Sequence, residues 1–237
     1  DLVILSPGVS PILKIFEYAR SQGIKITGEF EFAQGFIKEP MVGVTGTNGK
    51  TTVARLAEAM LKNSGITCWV GGSNERPLTD YLRFNEKAQV VIIEVSAFML
   101  EHTETFNPSN IVFTNLAENH LDRYRSMEEY INAKRRVFRN TNQMTTSILN
   151  ADDNAVVELA RDPAVQRGKI FYFSRKQALE PQIMNIGGAV NIADEVRVRT
   201  GPDVEVFNVK NIKMRGKHSI ENVMAALLVS REHGATK

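Results

Sequence analysis

The stretch Gly43-Val-Thr-Gly-Thr-Asn-Gly49-Lys50-Thr51-Thr52 decides how this chain is read. It follows an apolar run at 41–45 with strand character and opens a segment at 50–63 patterned as a helix. A strand, a glycine turn and a helix start in that order make an anion site. Successive backbone N–H groups point at one place, and the helix N-terminus adds partial positive charge. Lys50 supplies a full charge, and the Thr51 hydroxyl can ligate Mg²⁺. The stretch therefore predicts nucleotide triphosphate binding by Gly46, Thr47, Asn48, Gly49, Lys50, Thr51 and Thr52. The common form of such a loop has a glycine five positions before the Gly-Lys pair, where this chain has Val44. The loop is thus a shortened variant, Gly46-Thr-Asn-Gly-Lys-Thr. Stripped of its flanking strand and helix, it would be a glycine turn beside a solvated lysine.

Working outward, short β-rich runs alternate with helical stretches, which predicts an α/β fold with a mostly parallel sheet flanked by helices. Strands are expected at 2–5, 24–27, 41–45, 68–70, 90–94, 111–114, 147–149 and 170–173. Helices are expected at 12–22, 29–36, 50–63, 127–138, 154–161 and 221–233. The helix at 127 has the capping-box spacing Ser126-x-x-Glu129. Glycines and alternating valines over 182–210 predict β-hairpins. Lys38-Glu39-Pro40 interrupts the pattern, because proline disfavours helix in the residue before it. That places a boundary between a unit at 1–38 and a unit at 39–237.

Composition narrows the function classes. The 237 residues are 43% hydrophobic and 24% charged, with a net charge of +2. Such a balance excludes a dedicated nucleic-acid or membrane-surface binder, and no apolar run reaches the length of a membrane span. Cys68 is the sole cysteine, which excludes an internal disulfide and fits a reducing compartment. There is no initiator Met, and Asp1 opens directly onto Leu2-Val3-Ile4-Leu5. A start inside a strand reads as part of something longer.

Three features downstream bear on what the nucleotide is used for. Glu94 ends an apolar strand, where a carboxylate can hold Mg²⁺ directly or through water. Phe113-Thr-Asn-Leu-Ala-Glu-Asn-His120-Leu-Asp122-Arg-Tyr124 is a polar cluster following a strand, where open α/β sheets bind ligands. His120 is its informative member, among Asn115, Glu118 and Asp122. Lys134 lies in a helix rich in basic residues, which by composition alone is a solvated face. A second reading is open: Arg135, Arg136 and Arg139 would disfavour its protonated form, as would burial. A lysine must lose its proton to react with CO₂, and the carbamate so formed would be an anionic metal ligand.

Taken together these residues resemble the Mur ligase family, the ATP-dependent amide-forming enzymes of peptidoglycan precursor synthesis. Thr45-Gly-Thr-Asn-Gly-Lys-Thr51 is similar to the family's phosphate loop, and its shortened form explains Val44. Glu94-Val-Ser-Ala-Phe-Met-Leu-Glu101 resembles the segment Glu-Leu-Ser-Ser-Phe-Gln-Leu-Glu. Residues 115–124 resemble Asn-Val-Thr-Glu-Asp-His-Met-Asp-Arg-Tyr. Ala133-Lys134-Arg135 matches the helix that carries the carbamylated lysine, and Asn150-Ala-Asp-Asp153 matches a following strand end. His218-Ser-Ile-Glu-Asn222 is similar to the adenine-side His-Asn-x-x-Asn. Leu5-Ser-Pro-Gly-Val9 is similar to the uracil loop of the family's D-glutamate-adding branch, which is the nearest branch. Met99, Ala97, Asn119 and Ser219 depart from the family's Gln, Ser, Asp and Asn; they bear on substrate and adenine contacts and leave the metal and phosphate residues intact.

The resemblance implies roles for these residues. Lys50 and the loop amides would bind the phosphates of ATP, and Asn222 would contact the adenine. Thr51 and Glu94 would hold one Mg²⁺, while Glu94, His120 and carbamylated Lys134 would hold a second. Lys50, Glu94, His120 and Lys134 would thus form the catalytic set. Ser6, Pro7, Gly8, Asn74 and Ser96 would face the UDP-linked substrate. The implied substrates are UDP-N-acetylmuramoyl-L-alanine and D-glutamate, joined through an acyl phosphate by a cytoplasmic monomer that binds neither nucleic acid nor membrane. Residues 1–38 would be the last part of a UDP-binding Rossmann-like domain, and 39–237 the central ATP-binding domain. The amino-acid-binding domain would be absent, so the chain alone would be poorly active. Two other readings stay open: another ligase of this superfamily, including a folylpolyglutamate-synthase relative, and a nucleotide-binding module without ligase chemistry.

Overall fold

A computed structural model describes residues 1–9, 13–73, 76–84, 87–118, 123–212 and 216–236. The chain opens with β1 (Leu2–Leu5), α1 (Lys14–Ser21), β2 (Lys25–Gly28) and α2 (Glu29–Gln34). β1 and β2 pair in parallel as a two-stranded sheet. There follow β3 (Met41–Thr45), α3 (Lys50–Asn63), β4 (Cys68–Gly72), α4 (Leu78–Arg83), β5 (Val90–Glu94), α5 (Ala97–Glu101), β6 (Asn110–Phe113), α6 (Met127–Arg135), β7 (Thr146–Asn150), α7 (Asn154–Leu159) and β8 (Lys169–Ser174). The last elements are α8 (Glu180–Ile186), β9 (Gly188–Ile192), β10 (Glu195–Arg199), β11 (Glu205–Asn208) and α9 (Lys217–Glu232).

Among the described residues, β3 to β11 form one nine-stranded sheet in the order β11-β10-β9-β8-β7-β6-β3-β5-β4. Pairing is parallel from β4 across to β9. It becomes antiparallel at β9-β10 and β10-β11. The central strands β3, β5, β6 and β7 are buried at every position because helices cover both faces. β5, Val-Val-Ile-Ile-Glu, is buried at every position. One face packs on α3 and α9, with Val53, Ala57 and Leu61 clustering against Met224 and Leu228. The other carries the aromatic-rich half of the core, including Trp69, Tyr81, Phe113 and Phe138.

β3 lies between β5 and β6, so the chain leaves β3 toward one edge of the sheet and later crosses to the other. Loops beyond the carboxyl ends of β3, β5 and β6 therefore diverge around a crevice, the usual ligand position in such sheets.

The structure corrects several local expectations. Residues 180–186 form a helix before the antiparallel strands begin, so the hairpin region starts at Gly188 and not at 182. α6 gives way at Arg136 to a 3₁₀ turn through Phe138. α9 starts at Lys217, ahead of the expected 221. α4 and α5 are too short, at six and five residues, for helical periodicity to announce them. The capping box at α6 forms with a shift: Ser126 Oγ accepts from Glu129 N at 3.2 Å, while the Glu129 carboxylate takes Arg125 N at 2.8 Å.

Candidate active site

β3 carries the phosphate loop into the crevice. Its end is fixed by Thr45 Oγ1, which donates to the Val95 carbonyl at 2.9 Å. Gly46 and Gly49 have φ of +133° and +89°, a region that side chains disfavour. Space makes the same demand. A Cβ on Gly46 would run into Thr114 Oγ1, and one on Gly49 would lie 2.5 Å from Asn222 Oδ1.

The stretch after β6 braces the loop. Thr47 N donates to Asn115 O at 2.9 Å, and Asn48 N donates to Asn115 Oδ1 at 2.9 Å. Asn115 Nδ2 returns a bond to Asn48 O at 3.0 Å, and Thr114 Oγ1 donates to the same carbonyl at 2.6 Å. Ala117 N donates to Thr47 Oγ1 at 3.0 Å, and Tyr130 OH lies 3.3 Å from that hydroxyl. Thr52 is half-buried in the first turn of α3.

Two ammonium groups converge on one carbonyl. Lys50 Nζ donates to Gly46 O at 3.2 Å and to Thr47 O at 3.0 Å. Lys134 Nζ donates to Gly46 O at 2.9 Å and lies 5.0 Å from the centre of the Tyr130 ring. Lys134 is 2% exposed. Burial first, and then the charge of Lys50, pull its pKa from 10.5 down to about 7. Burial also lowers the pKa of Lys50, against the opposing pull of Glu94.

The expectation that neighbouring arginines depress Lys134 is therefore corrected. Arg135 pairs with Asp162, and Arg136 donates to the carbonyls of Leu100 and Thr103 at 2.7 and 2.9 Å. Arg139 is exposed. Sequence proximity on a helix places side chains on different faces, and only the buried face reaches the loop.

Glu94 ends β5 with its side chain fully buried, and its Oε2 accepts from Thr51 Oγ1 at 2.8 Å. Across the crevice, Pro7 and Gly8 line a cavity of about 320 Å³ together with Thr47, Lys50, Ser96 and Lys134. Ser96 Oγ also caps α5, accepting from Met99 N at 3.2 Å. Ser6 is exposed, and its carbonyl accepts from Val9 N at 3.2 Å. A larger groove of about 450 Å³ between α6 and α7 holds none of these groups and is a surface feature. Asn74 and His120 lie outside the described residues.

Asn222 sits at the start of α9, next in sequence to the centre of a second network. Beside it, Glu221 is buried and accepts from Arg175 Nε at 2.6 Å. It also lies 3.2 Å from His218 Nδ1 and 3.4 Å from Asn150 Nδ2. Asp152 accepts from Ser174 Oγ at 2.6 Å and from Arg175 N at 2.8 Å. Sequence reasoning assigned no role to Thr114, Tyr130 or Arg175. Tyr130 was legible in principle, as a residue one helical turn before Lys134 on the same face. Arg175 lies in no motif and had no such signal.

A strand, a glycine loop braced from the next strand, a helix and a buried acid–lysine set define an α/β protein with a phosphate-loop crevice. Residues 44–230 match the model of the Mur ligase middle domain. The chain belongs to the Mur ligase family. It is 80% identical over 237 residues to the UDP-N-acetylmuramoylalanine--D-glutamate ligase of Bdellovibrio bacteriovorus, covering 100% of this chain and 51% of that protein. It is 37% identical over 227 residues to the protein of the same name from Citrifermentans bemidjiense, covering 96% of this chain and 48% of that one. The chain thus spans about half the length of the curated relatives it matches. Two solved structures share the fold. A UDP-N-acetylmuramoyl-L-alanyl-D-glutamate--2,6-diaminopimelate ligase aligns with TM-score 0.66 at 21% identity, covering 99% of this chain and 57% of that one. The UDP-N-acetylmuramate:L-alanyl-gamma-D-glutamyl-meso-diaminopimelate ligase from Neisseria meningitides aligns with TM-score 0.66 at 14% identity, covering 99% and 74%. Among the described residues, no helix is long and apolar enough to cross a membrane.

Proposed function

We propose that this chain carries the ATP-using centre of a ligase that joins D-glutamate to UDP-N-acetylmuramoyl-L-alanine. The observation that carries the reading is the convergence at Gly46: Lys50 and Lys134 both donate to its carbonyl, in a cavity whose opposite wall is Pro7 and Gly8. The phosphate-loop lysine, the lysine that would carry the carbamate and the turn assigned to the UDP-linked substrate thus share one space. The 80% identity to a relative named for this activity supports the same assignment. In this reading 1–38 are the end of a UDP-binding domain and 39–237 the ATP-binding domain.

The chemistry asked of the residues is electrostatic. A substrate carboxylate takes the γ-phosphoryl group of ATP and becomes an acyl phosphate. The incoming amine then attacks the acyl carbon, and phosphate leaves. Carboxylate and triphosphate repel each other, so the site must supply fixed positive charge. Lys50, the loop N–H groups and the α3 N-terminus do so on the phosphate side. Asn222, beside Gly49, would take the adenine, and Ser96 and Asn74 would face the UDP-linked substrate.

The donor set fits Mg²⁺, which favours a carboxylate and a hydroxyl over a full protein cage. Thr51 and Glu94 are those oxygens, 2.8 Å apart. They would hold one ion, and Glu94, His120 and Lys134 as its carbamate would hold a second. The ions would neutralise the approaching anions. Lys134 suits carbamate formation because a pKa of about 7 leaves a large fraction as free amine near neutrality, the form that attacks CO₂.

The test is ADP release by the complete gene product. Release should require both UDP-N-acetylmuramoyl-L-alanine and D-glutamate. ADP release with a different amino acid in place of D-glutamate, and none with D-glutamate, defeats the assignment.

A further inference from the structure

Glu101, the last residue of α5, has both carboxylate oxygens engaged. Arg123 Nη2 donates to Oε2 at 2.7 Å, and the Tyr124 hydroxyl donates to Oε1 at 2.6 Å. The ion pair is about three-quarters buried, with side chains 25% and 23% exposed. Burial and the Glu101 carboxylate both push the Tyr124 pKa upward, so this phenol remains a donor.

Arg123 reaches two further groups. Its guanidinium lies 4.4 Å from the centre of the Phe98 ring, and Nη1 reaches the Gly8 carbonyl at 3.4 Å. Phe98 stacks on Tyr124 with centroids 6.0 Å apart and planes 8° from parallel. Tyr124 in turn packs 5.3 Å from Tyr130, whose hydroxyl neighbours Thr47 of the phosphate loop. A planar, always charged fork is suited to this geometry: one edge on a carboxylate, one face on a ring, and the remaining N–H on a carbonyl. Lysine has neither the plane nor the second edge.

The Gly8 contact links units far apart in sequence. The residues of the turn at 6–8 are exposed. Gly8 has φ of +94° with nothing within 4 Å of a Cβ, so glycine is needed there for backbone conformation and not for room. Orientation of that turn therefore depends on what holds its carbonyls.

We propose that Glu101 and Arg123 form a positioning clamp that seats the Ser6-Pro7-Gly8 turn against the phosphate-side cavity, setting how the UDP-linked substrate is presented to the loop. The clamp rests on the reading of that turn as the substrate turn. Neither residue touches the reacting atoms; Glu101 acts through Arg123, and Arg123 acts through the turn.

The experiment has two arms, both on the complete gene product. In the first, hydrogen exchange is followed at the Val9 amide, which donates within the turn. Exchange should quicken about tenfold in Arg123→Ala and in Glu101→Ala, the effect of losing one charge-assisted tether. In the second, steady-state kinetics should show KM for the UDP-linked substrate rising about tenfold in both variants, with KM for ATP within about twofold of the parent. The double variant should add nothing to the larger single effect, because the two residues act as one unit. Glu101→Gln keeps the Tyr124 bond and guards against a folding defect; it should give an intermediate KM. Arg123→Lys should fail to restore the parent KM. Unchanged Val9 exchange overturns the clamp, and so do equal rises in both KM values or faster exchange with an unmoved substrate KM. If the parent protein does not turn over the UDP-linked substrate, the functional reading fails, while the exchange arm still decides whether the tether exists.

Discussion

The two ends of the crevice are built in different ways. On the phosphate side, the groups proposed to meet phosphate come from one continuous stretch, 46–51, and most of them are backbone N–H groups. Side chains such as Asn115 and Thr114 serve to hold that backbone, through bonds of 2.6 to 3.0 Å to Asn48. On the α9 side, a buried carboxylate is satisfied by side chains from three elements or their ends: Asn150 from β7, Arg175 after β8 and His218 from α9. A backbone-built site is encoded by a short motif. A side-chain network depends on strand order and register, which no short window contains.

The sharpest way to break this contrast is at Lys134, a side chain that the phosphate side has buried. In the unfolded chain its pKa is the ordinary 10.5, and in the fold it is about 7. Below pH 7 both states hold the proton, so folding bears the full cost of burying the charge. Between pH 7 and 10.5 the unfolded state binds a proton that the folded state does not, so stability rises with pH. Across the whole window this amounts to roughly 4–5 kcal/mol. In CO₂-free buffer, Lys134→Met should therefore be the more stable protein at pH 6.5. The gap should close as pH approaches 9.5, measured by urea unfolding. A constant difference between the two proteins across that range would mean that Lys134 keeps its charge in the fold, and the carbamate reading would lose its basis.

Legibility followed the same contrast. The phosphate loop, the all-buried β5 and α3 were readable because their signals are local: glycines at fixed spacing, an unbroken apolar run, a helical period. For Lys134 the sequence indicates the direction of the pKa shift and only part of its cause. Burial is the larger cause, and the second is the charge of Lys50, from 84 positions away in the chain, and not the adjacent arginines. Helix α8 is masked in the sequence by Gly187 and Gly188, which give the segment a hairpin character, although Glu180 and Pro181 at its start suit a helix opening. The Arg175–Glu221 pair and the Arg123–Gly8 contact were not readable at all. Each joins residues brought together only once β8 lies beside β7, or β1 beside the central unit.

A smaller effect sharpens the backbone side of the comparison. Gly49→Ala places a Cβ 2.5 Å from Asn222 Oδ1 and holds an L-residue at φ of +89°. The αL penalty is about 1–2 kcal/mol, and the displaced Asn222 amide adds to it. Thermal unfolding should register a loss of roughly 2–3 kcal/mol. Nucleotide affinity, measured by titration calorimetry, should fall with it, because the helix N-terminus moves away from the loop. Loss of stability with unaltered affinity would show that Gly49 serves the fold and that the loop amides bind elsewhere.

The smallest expected effect lies on the α9 side, and it tests whether a distributed network behaves as one. Removing Arg175 leaves Glu221 buried, but Asn150 and His218 remain within reach of its carboxylate. Loss of the charged partner is then softened by two polar ones, so Arg175→Ala should cost about 1–2 kcal/mol, below the several expected for an isolated buried charge. His218 is the exposed member of the network, with a side chain 83% exposed. If the partners share the load, Arg175→Ala/His218→Ala should lose more stability in urea unfolding than the two single variants added together, because each partner covers for the loss of the other. Strictly additive costs would mean that the partners hold Glu221 independently. The α9 side would then be a set of pairwise contacts, like those of the phosphate loop, and the distinction between the two ends would fall.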